Sequence, residues 1–418
     1  MNAENKEAIA IPFLFLQRRN RLHTTTPKMY PDLSYLFHDL FGTQPDNWTS
    51  IFKTFGLMLV IAILTAAYLL FLELKRKKEQ GVFEGEKVKV TEGEGATVGE
   101  LVSNGIFGFI IGFKLVYILQ NFGAFQEDAA AVLLSLKGTA WSGILLGLVF
   151  AGYKYWEKNR RKLPKPVERL ETLYPHDRIG DITIMAALSG IVGAKVFAII
   201  EDLPTFFADP VGTFFSGSGL AIYGGLIGGF FGVIWYLRRH GIPFWPVADA
   251  VAPALMVSYG VGRIGCQLSG DGDWGVEAAA QPDWWFLPDW LWSSTYPHNV
   301  AQDGTLIEGC TFHYCHELPA AVYPTPLYEV LMALAIGAFL WSIRKKVRIP
   351  GMLFSIYLIL NGVERFLIEG IRVNIKYNVL GLQLTQAQII AIVLFAIGLG
   401  MALYFRNKDR KASPVDPG

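Results

Sequence analysis

The sequence has almost no excess charge of either sign: 37 Lys and Arg stand against 36 Asp and Glu, a formal net charge of +1. That balance gives no reason to expect a nucleic-acid partner, which is drawn by a surplus of positive charge. Cysteine is scarce, at three residues. The first fifty residues lack a short basic segment followed by an apolar stretch and a small-residue cleavage site, so no cleavable signal peptide is expected there. Met29 offers an alternative start, because residues 1–28 read as unrelated to the rest of the chain. The most telling scarcity is of charge within long apolar segments.

Hydrophobic residues make up 52% of the chain and are gathered into runs, not spread in a soluble protein's pattern. Nine runs stand out, at roughly 51–74, 101–122, 138–156, 180–201, 219–237, 244–268, 327–343, 351–371 and 385–405. A helix crossing a bilayer core needs about 20 mostly apolar residues. The expected fold class is therefore all-α and polytopic, with about nine transmembrane helices; a buried soluble core is a poor account of all nine runs.

Lys and Arg set the expected orientation. The first run ends in Lys75-Arg76-Lys77-Lys78, the third near Lys158 to Lys165, the fifth in Arg238-Arg239, the seventh in Arg344-Lys345-Lys346, and the last near Arg406 to Arg410. The opposite connections, 123–136, 202–218 and 269–326, are poor in both. This predicts an external N-terminal segment (1–50), a first transmembrane helix (51–74) and a cytoplasmic linker (75–100). Beyond the linker it predicts a helical hairpin (98–156), a membrane core (179–406) with an external loop (269–326), and a cytoplasmic tail (407–418).

Residues 98–155, shifted by 81 positions, overlay 179–236 without a gap. Gly112, Lys114, Asp128, Gly138, Gly143, Leu145, Gly147 and Tyr155 fall on Gly193, Lys195, Asp209, Gly219, Gly224, Leu226, Gly228 and Tyr236. A duplicated two-helix unit is the expected origin, with shared membrane composition as the bland alternative. The second copy carries GLAIYGGLIGG, with Tyr223 where the first has Ser142, and is the copy expected to hold a site. Because the copies share one orientation and no run is broken at mid-membrane, an inverted-repeat transporter is disfavoured.

Ionisable residues inside a span cost about 2.5–3.5 kcal/mol each on insertion scales and usually face a cavity or a partner. Arg263, Arg365, Glu369, Tyr223, Tyr328 and Glu329 all fall near the outer ends of their runs. Guanidinium forks bind phosphate bidentately, and the outer leaflet offers phospholipid headgroups. Each residue also has a bland reading. Arg365 and Glu369, at i and i+4, pair with each other; Arg263 snorkels; Gly224 and Gly225 serve close helix packing through Gly224-xxx-Gly228 and Gly225-xxx-Gly229; Asp271 and Asp273 are solvated loop carboxylates. In the external loop, CTFHYCH (310–316) suits a disulfide, free thiols, or a metal held with His313 and His316. The loop tryptophans Trp284, Trp285, Trp290 and Trp292 suit either the membrane surface or a lid.

Several segments together resemble the prolipoprotein diacylglyceryl transferase family: FFADPVGTFFSGSGLAIYGGLIGG (206–229), VADAVAPALMVSYGVGRIGCQLSGDGDWG (247–275), YPTPLYEVLMAL (323–334) and NGVERFLIEGIR (361–372), with FGLMLVIAI (55–63) and TQAQIIAI (385–392) similar to its first and last helices. The resemblance implies a seven-helix core, here with the 98–156 hairpin inserted, and a reaction at the outer face of a bacterial inner membrane. The donor would be phosphatidylglycerol and the acceptor the lipobox cysteine of a prolipoprotein signal peptide, giving a thioether and glycerol phosphate without a metal or organic cofactor. It implies headgroup phosphate binding by Arg263 and Arg365, with Glu369 and Arg372 orienting the latter. Gly224, Gly225, Tyr328 and Glu329 would complete the lipid site. The sequence departs from the family pattern at Tyr223, where His is usual, and at Cys266, Gln267, Ser269, Asp271, Val276, Phe55 and Asn361. A neutral phenol is a poor base at pH 7, so thiol deprotonation passes to Asp271 or the arginine field, with Tyr223 bonding the headgroup. The alternative is a lipid-binding or scaffolding membrane protein of the same fold that has lost its chemistry.

Overall fold

The computed structural model describes residues 28–127, 132–133, 135–214, 221–379 and 381–412. The expectations for residues 1–27, Asp128 and Gly219 fall outside these. The chain order is α1 (Leu33–Phe41), α2 (Thr54–Glu79), β1 (Glu86–Glu92), α3 (Val98–Gln120), α4 (Phe122–Glu127), α5 (Ala140–Arg160), β2 (Val167–Leu173), α6 (Ile179–Glu201), α7 (Leu203–Ala208), α8 (Pro210–Phe214), α9 (Ile222–Arg239) and α10 (Phe244–Ser269). Then come β3 (Thr305–Leu306), β4 (His316–Glu317), α11 (Thr325–Ile343), α12 (Met352–Glu369), β5 (Lys376–Val379), β6 (Leu382–Thr385) and α13 (Gln386–Ala412).

Each apolar run is a long helix. Six of the helices among the described residues are long and apolar enough to cross a membrane: α2, α3, α6, α10, α11 and α13. Of the others, α5 and α9 are diluted by glycine and by basic C-terminal residues, and α12 carries Glu364, Arg365 and Glu369.

The all-α expectation needs correction at three antiparallel two-stranded ribbons, β1–β2, β3–β4 and β5–β6. The linker 75–100 is not featureless: α2 continues to Glu79, and β1 comes after it. Lys, Arg and Glu are good helix formers, and basic residues at a helix C-terminus meet a favourable dipole. The sequence EKVKVTE also alternates with the period of a strand, a signal hidden by its lysines and glutamates.

The 81-residue shift reaches beyond the helices. It carries β1 onto β2, α3 onto α6 and α4 onto α7 with the same first and last positions. In the ribbon, Lys89 pairs with Leu170, its own counterpart under the shift. Each unit packs as a helical hairpin through glycine. A Cβ on Gly193 would lie 2.3 Å from the Gly224 carbonyl, and one on Gly112 2.3 Å from that of Ser142. At the turn of the first hairpin, Lys114 Nζ donates to the carbonyls of Val132 and Lys137, each at 2.9 Å.

Helix α10 is the axis of the remaining bundle, packed against α2, α11 and α12, with α13 on α12. Its contact face is built from small residues, Ala248, Ala250, Ala252, Ala254 and Gly260, which let neighbouring backbones approach. At the basic end, buried Asp249 accepts the backbone N–H groups of Gly351 and Phe354 at 2.8 and 2.9 Å, capping α12 from a neighbouring helix. There, too, Glu73 takes both Arg76 and Arg344.

At the opposite end the long connection between α10 and α11 is folded. Cys310 and Cys315 form a disulfide, so neither sulfur is a free metal-binding thiolate, and the open choice for CTFHYCH is decided. Residues from Met29 to Lys53 lie over this loop: Tyr35 Oη accepts the Tyr314 N–H at 2.9 Å, and Asp46 accepts that of His313 at 2.8 Å. Trp285 and Trp292 pack ring to ring, whereas Trp284 is exposed.

Candidate active site

Three elements meet where α10 ends. Gly270 closes the helix in the left-handed region (φ 63°), its N–H donating to the Cys266 carbonyl at 3.0 Å; a side chain there would strike Asn299. The chain then turns back. Gly275 N–H bonds the Tyr323 carbonyl at 2.9 Å and Val276 N–H that of Ile371 at 2.8 Å, threading the segment between the start of α11 and the end of α12. This threading carries Asp273 onto Arg263 and Arg372.

The resulting cluster holds three guanidinium groups and three carboxylates. Asp273 pairs through one oxygen with Arg263 and through the other with Arg372. Glu329, from the first turn of α11 and fully buried, takes Arg263, Arg365 (3.1 Å) and Arg372 (3.3 Å). Its Oε2 faces Arg263 Nε as an ion pair, without hydrogen-bond geometry. Arg365 also reaches Glu369 at 3.4 Å, and Glu369 accepts from Asn374. Arg263 further donates to Tyr259 Oη at 3.3 Å, one turn earlier, and sits over that ring.

Arg372 is the deepest of the three guanidinium groups, its side chain 8% exposed, against 14% for Arg263 and 23% for Arg365. Arg263 Nη2 has no hydrogen-bond acceptor among the described residues. A buried ion cluster is a poor way to stabilise a fold, since apolar residues of similar volume do as well or better. Charges at the rim of a span therefore point to a ligand.

Beside the cluster, half-buried Asp271 adjoins the Cys266 thiol. Burial pushes the Asp271 carboxyl up, against the opposing hydrogen bond from the Cys266 thiol. Burial also acts to raise Asp273, but Arg263 and Arg372 overcome it and hold that carboxyl below its usual range. Cys266 Sγ and carboxylate oxygens of Asp271 and Asp273 lie within 4.8 Å of one another. With Asp273 already between two guanidinium ions, the surroundings suit an anion better than a metal cation.

Arg263, Arg365, Arg372, Glu329 and Glu369 are thus brought together, and Asp271 adjoins them. Four expected residues make no hydrogen bond or ion pair with the cluster among the described residues. Tyr328 Oη donates to the carbonyls of Leu291 (2.9 Å) and Trp292 (3.2 Å), anchoring the connection between α10 and α11. Gly224 faces α6, where a Cβ would lie 2.4 Å from Phe197 and 2.5 Å from the Gly193 carbonyl, so close packing accounts for it; a Cβ on Gly225 would meet Ala194 and the Gly190 carbonyl at an ordinary 3.5 Å. Tyr223, in the first turn of α9, has no hydrogen bond to the cluster among the described residues. Tyr223→Phe is accordingly expected to leave transfer activity within about threefold of wild type, as measured by product formation; a loss of about a hundredfold would give the hydroxyl a direct role. Asp273, Tyr259 and Asn374 were not legible as site residues. Asp273 and Asp271 are chemically alike two positions apart, and only the fold-back after Gly270 selects which one meets the arginines.

The protein is a nearly all-helical membrane bundle with an arginine–carboxylate cluster at one mouth. The sequence model of the family described as prolipoprotein diacylglyceryl transferase matches residues 164–404, and the chain belongs to that family. The match begins after the α3–α5 hairpin and contains every residue of the cluster. Among relatives, the phosphatidylglycerol–prolipoprotein diacylglyceryl transferase of Dehalococcoides mccartyi is 28% identical over 295 residues, covering 69% of this chain and 97% of that protein. That of Shouchella clausii is 29% identical over 234 residues, covering 56% and 76%. That of Corynebacterium glutamicum is 30% identical over 243 residues, covering 57% and 72%.

Proposed function

We propose that this protein transfers the diacylglyceryl group of phosphatidylglycerol to the lipobox cysteine of prolipoproteins in a bacterial inner membrane. The observation that carries this reading is the convergence of Arg263, Arg365 and Arg372 on Glu329 and Asp273 at one mouth of the bundle. In the proposed reaction the thiol sulfur attacks the glycerol carbon bearing the phosphate ester. A C–S bond forms, the C–O bond breaks, and its electron pair stays on the phosphate oxygen. Arg263 and Arg365, the more exposed pair, hold that phosphate as it gains charge. Fixed donors aimed at developing charge in a water-poor site usually supply more of an enzyme's rate enhancement than any other single effect. Arg372 and Glu329 fix the orientation of both.

In this reading Asp271 takes the thiol proton. It is positioned beside the cluster, and its raised proton affinity makes it a better base than an ordinary aspartate. The base must be ionised to act, so kcat/KM rises with pH through the raised Asp271 value. The acid limb is therefore expected above the ordinary aspartate value of about 3.9. Asp271→Asn is expected to remove that limb and to lower the rate by about a hundredfold. A profile unchanged by the substitution would assign the base elsewhere.

Nine membrane crossings, an external N-terminus and active mouth, and a cytoplasmic C-terminus complete the proposal. Basic residues at Lys75–Lys78, Arg344–Lys346 and Arg406–Arg410 support that orientation. The coincident bounds of β1, α3 and α4 with β2, α6 and α7 support duplication as the origin of the extra hairpin. The test of the whole reading is direct. Purified protein, phosphatidylglycerol vesicles and a lipobox peptide should yield a peptide heavier by one diacylglyceryl group. Well-folded protein that binds the lipid and forms no product would instead favour the lipid-binding scaffold.

A further inference from the structure

One buried carboxyl at the cluster takes no part in phosphate binding or thiol deprotonation. Glu364, on α12 immediately before Arg365, is 2% exposed, and neither of its carboxyl oxygens has a hydrogen-bond partner among the described residues. The groups bearing on it come from every side of the site: Tyr259 and Arg263 from α10, Glu329 from α11, Tyr357 and Arg365 from its own helix, and Arg372 beyond it. Helix α13 packs on this part of α12 through Ala391 and Phe395 against Gly362. Charge counting decides its state. Three guanidinium ions are already matched by Asp273, Glu329 and Glu369. With Asp271 also ionised beside the cluster, a further carboxylate, buried and unpaired, would have no counter-ion, and such a group keeps its proton instead.

We propose that Glu364 is the proton donor to the departing phosphate oxygen. This rests on the transfer reaction proposed above. As the C–O bond breaks, the phosphodiester monoanion becomes a monoester that would leave as a dianion into a site already holding three carboxylates. The Glu364 proton passes to that oxygen, and glycerol phosphate departs as a monoanion. The thiol proton goes to Asp271. After product release, Asp271 loses its proton to water and Glu364 regains one from water. One turnover thus moves one proton, net, from sulfur to phosphate oxygen.

The test uses the full-length protein in phosphatidylglycerol vesicles with a lipobox peptide. Glu364→Gln keeps the size and neutrality of the resting side chain and removes the transferable proton. It is expected to lower kcat by about a hundredfold with KM unchanged. A phosphatidylglycerol analogue with sulfur as the bridging leaving atom needs no proton to depart, and should bring the variant back to within about threefold of wild type. Wild-type activity of Glu364→Gln on the ordinary lipid, or an equal loss on both lipids, would overturn the donor role while leaving the transfer reaction standing. A wild type that forms no product overturns both. If the variant does not fold, infrared spectroscopy of the wild type decides. A protonated carboxylic-acid band that disappears when lipid and peptide turn over supports the proposal; absence of such a band refutes it.

Discussion

Arg263→Ala is expected to lower the rate of diacylglyceryl transfer by about a thousandfold or more, equivalent to about 4 kcal/mol of lost transition-state stabilisation. The magnitude comes from position. Arg263 is joined to Asp273, Glu329 and Tyr259 and retains one nitrogen without an acceptor among the described residues, so it combines a fixed orientation with an unused donor. Alanine removes the cation and leaves the two carboxylates facing the phosphate with one fewer positive charge between them, so repulsion adds to the lost attraction. Arg263→Lys keeps the charge but not the planar fork, and is expected to fall between alanine and wild type. The measurement is the rate of appearance of the lipidated peptide by mass spectrometry, with vesicle binding and thermal unfolding as controls. A folded Arg263→Ala protein with an unchanged rate would place the phosphate elsewhere.

The second large effect falls on stability. Glu329→Gln should destabilise the protein by about 3–5 kcal/mol, because it removes the shared partner of three guanidinium groups in a buried site. Glu329 has no exposed surface, and no other carboxylate among the described residues pairs with Arg263, Arg365 and Arg372 together. The amide leaves three positive charges facing Asp273 and Glu369 only. A fall in the unfolding midpoint in detergent is the readout, compared with Glu369→Gln, which removes a partner of Arg365 alone and should fall less. Equal midpoints for wild type and Glu329→Gln would mean that the guanidinium groups are held by something other than this carboxylate.

The two effects reflect different grades of legibility in the sequence. Arg263, Arg365, Glu329 and Glu369 could be found because a charge within or beside a long apolar run has few reasons to be there. Tyr328 met the same criterion and yet bonds the connection between α10 and α11, because a tyrosine has one hydroxyl and any nearby carbonyl satisfies it. Gly224 is compatible in sequence with a lipid-facing backbone or with helix packing; the approach of α6 decides for packing. The β1–β2 ribbon escaped notice because each strand is only seven residues long and polar, and neither is stable without the other.

The sequence by itself determined where the long helices lie, the ends at which basic residues collect, the 81-residue repeat and the resemblance to the family. All of these are properties of one segment at a time, or of segments compared as strings, and hydropathy and spacing carry them. Only the tertiary structure decided that Asp273 completes the arginine cluster, that Cys310 and Cys315 are joined, and that Glu364 is left without a partner among the described residues. Those outcomes depend on which backbones approach one another after Gly270 turns the chain. Side chains far apart in the sequence are brought into contact there by packing, which no local pattern records.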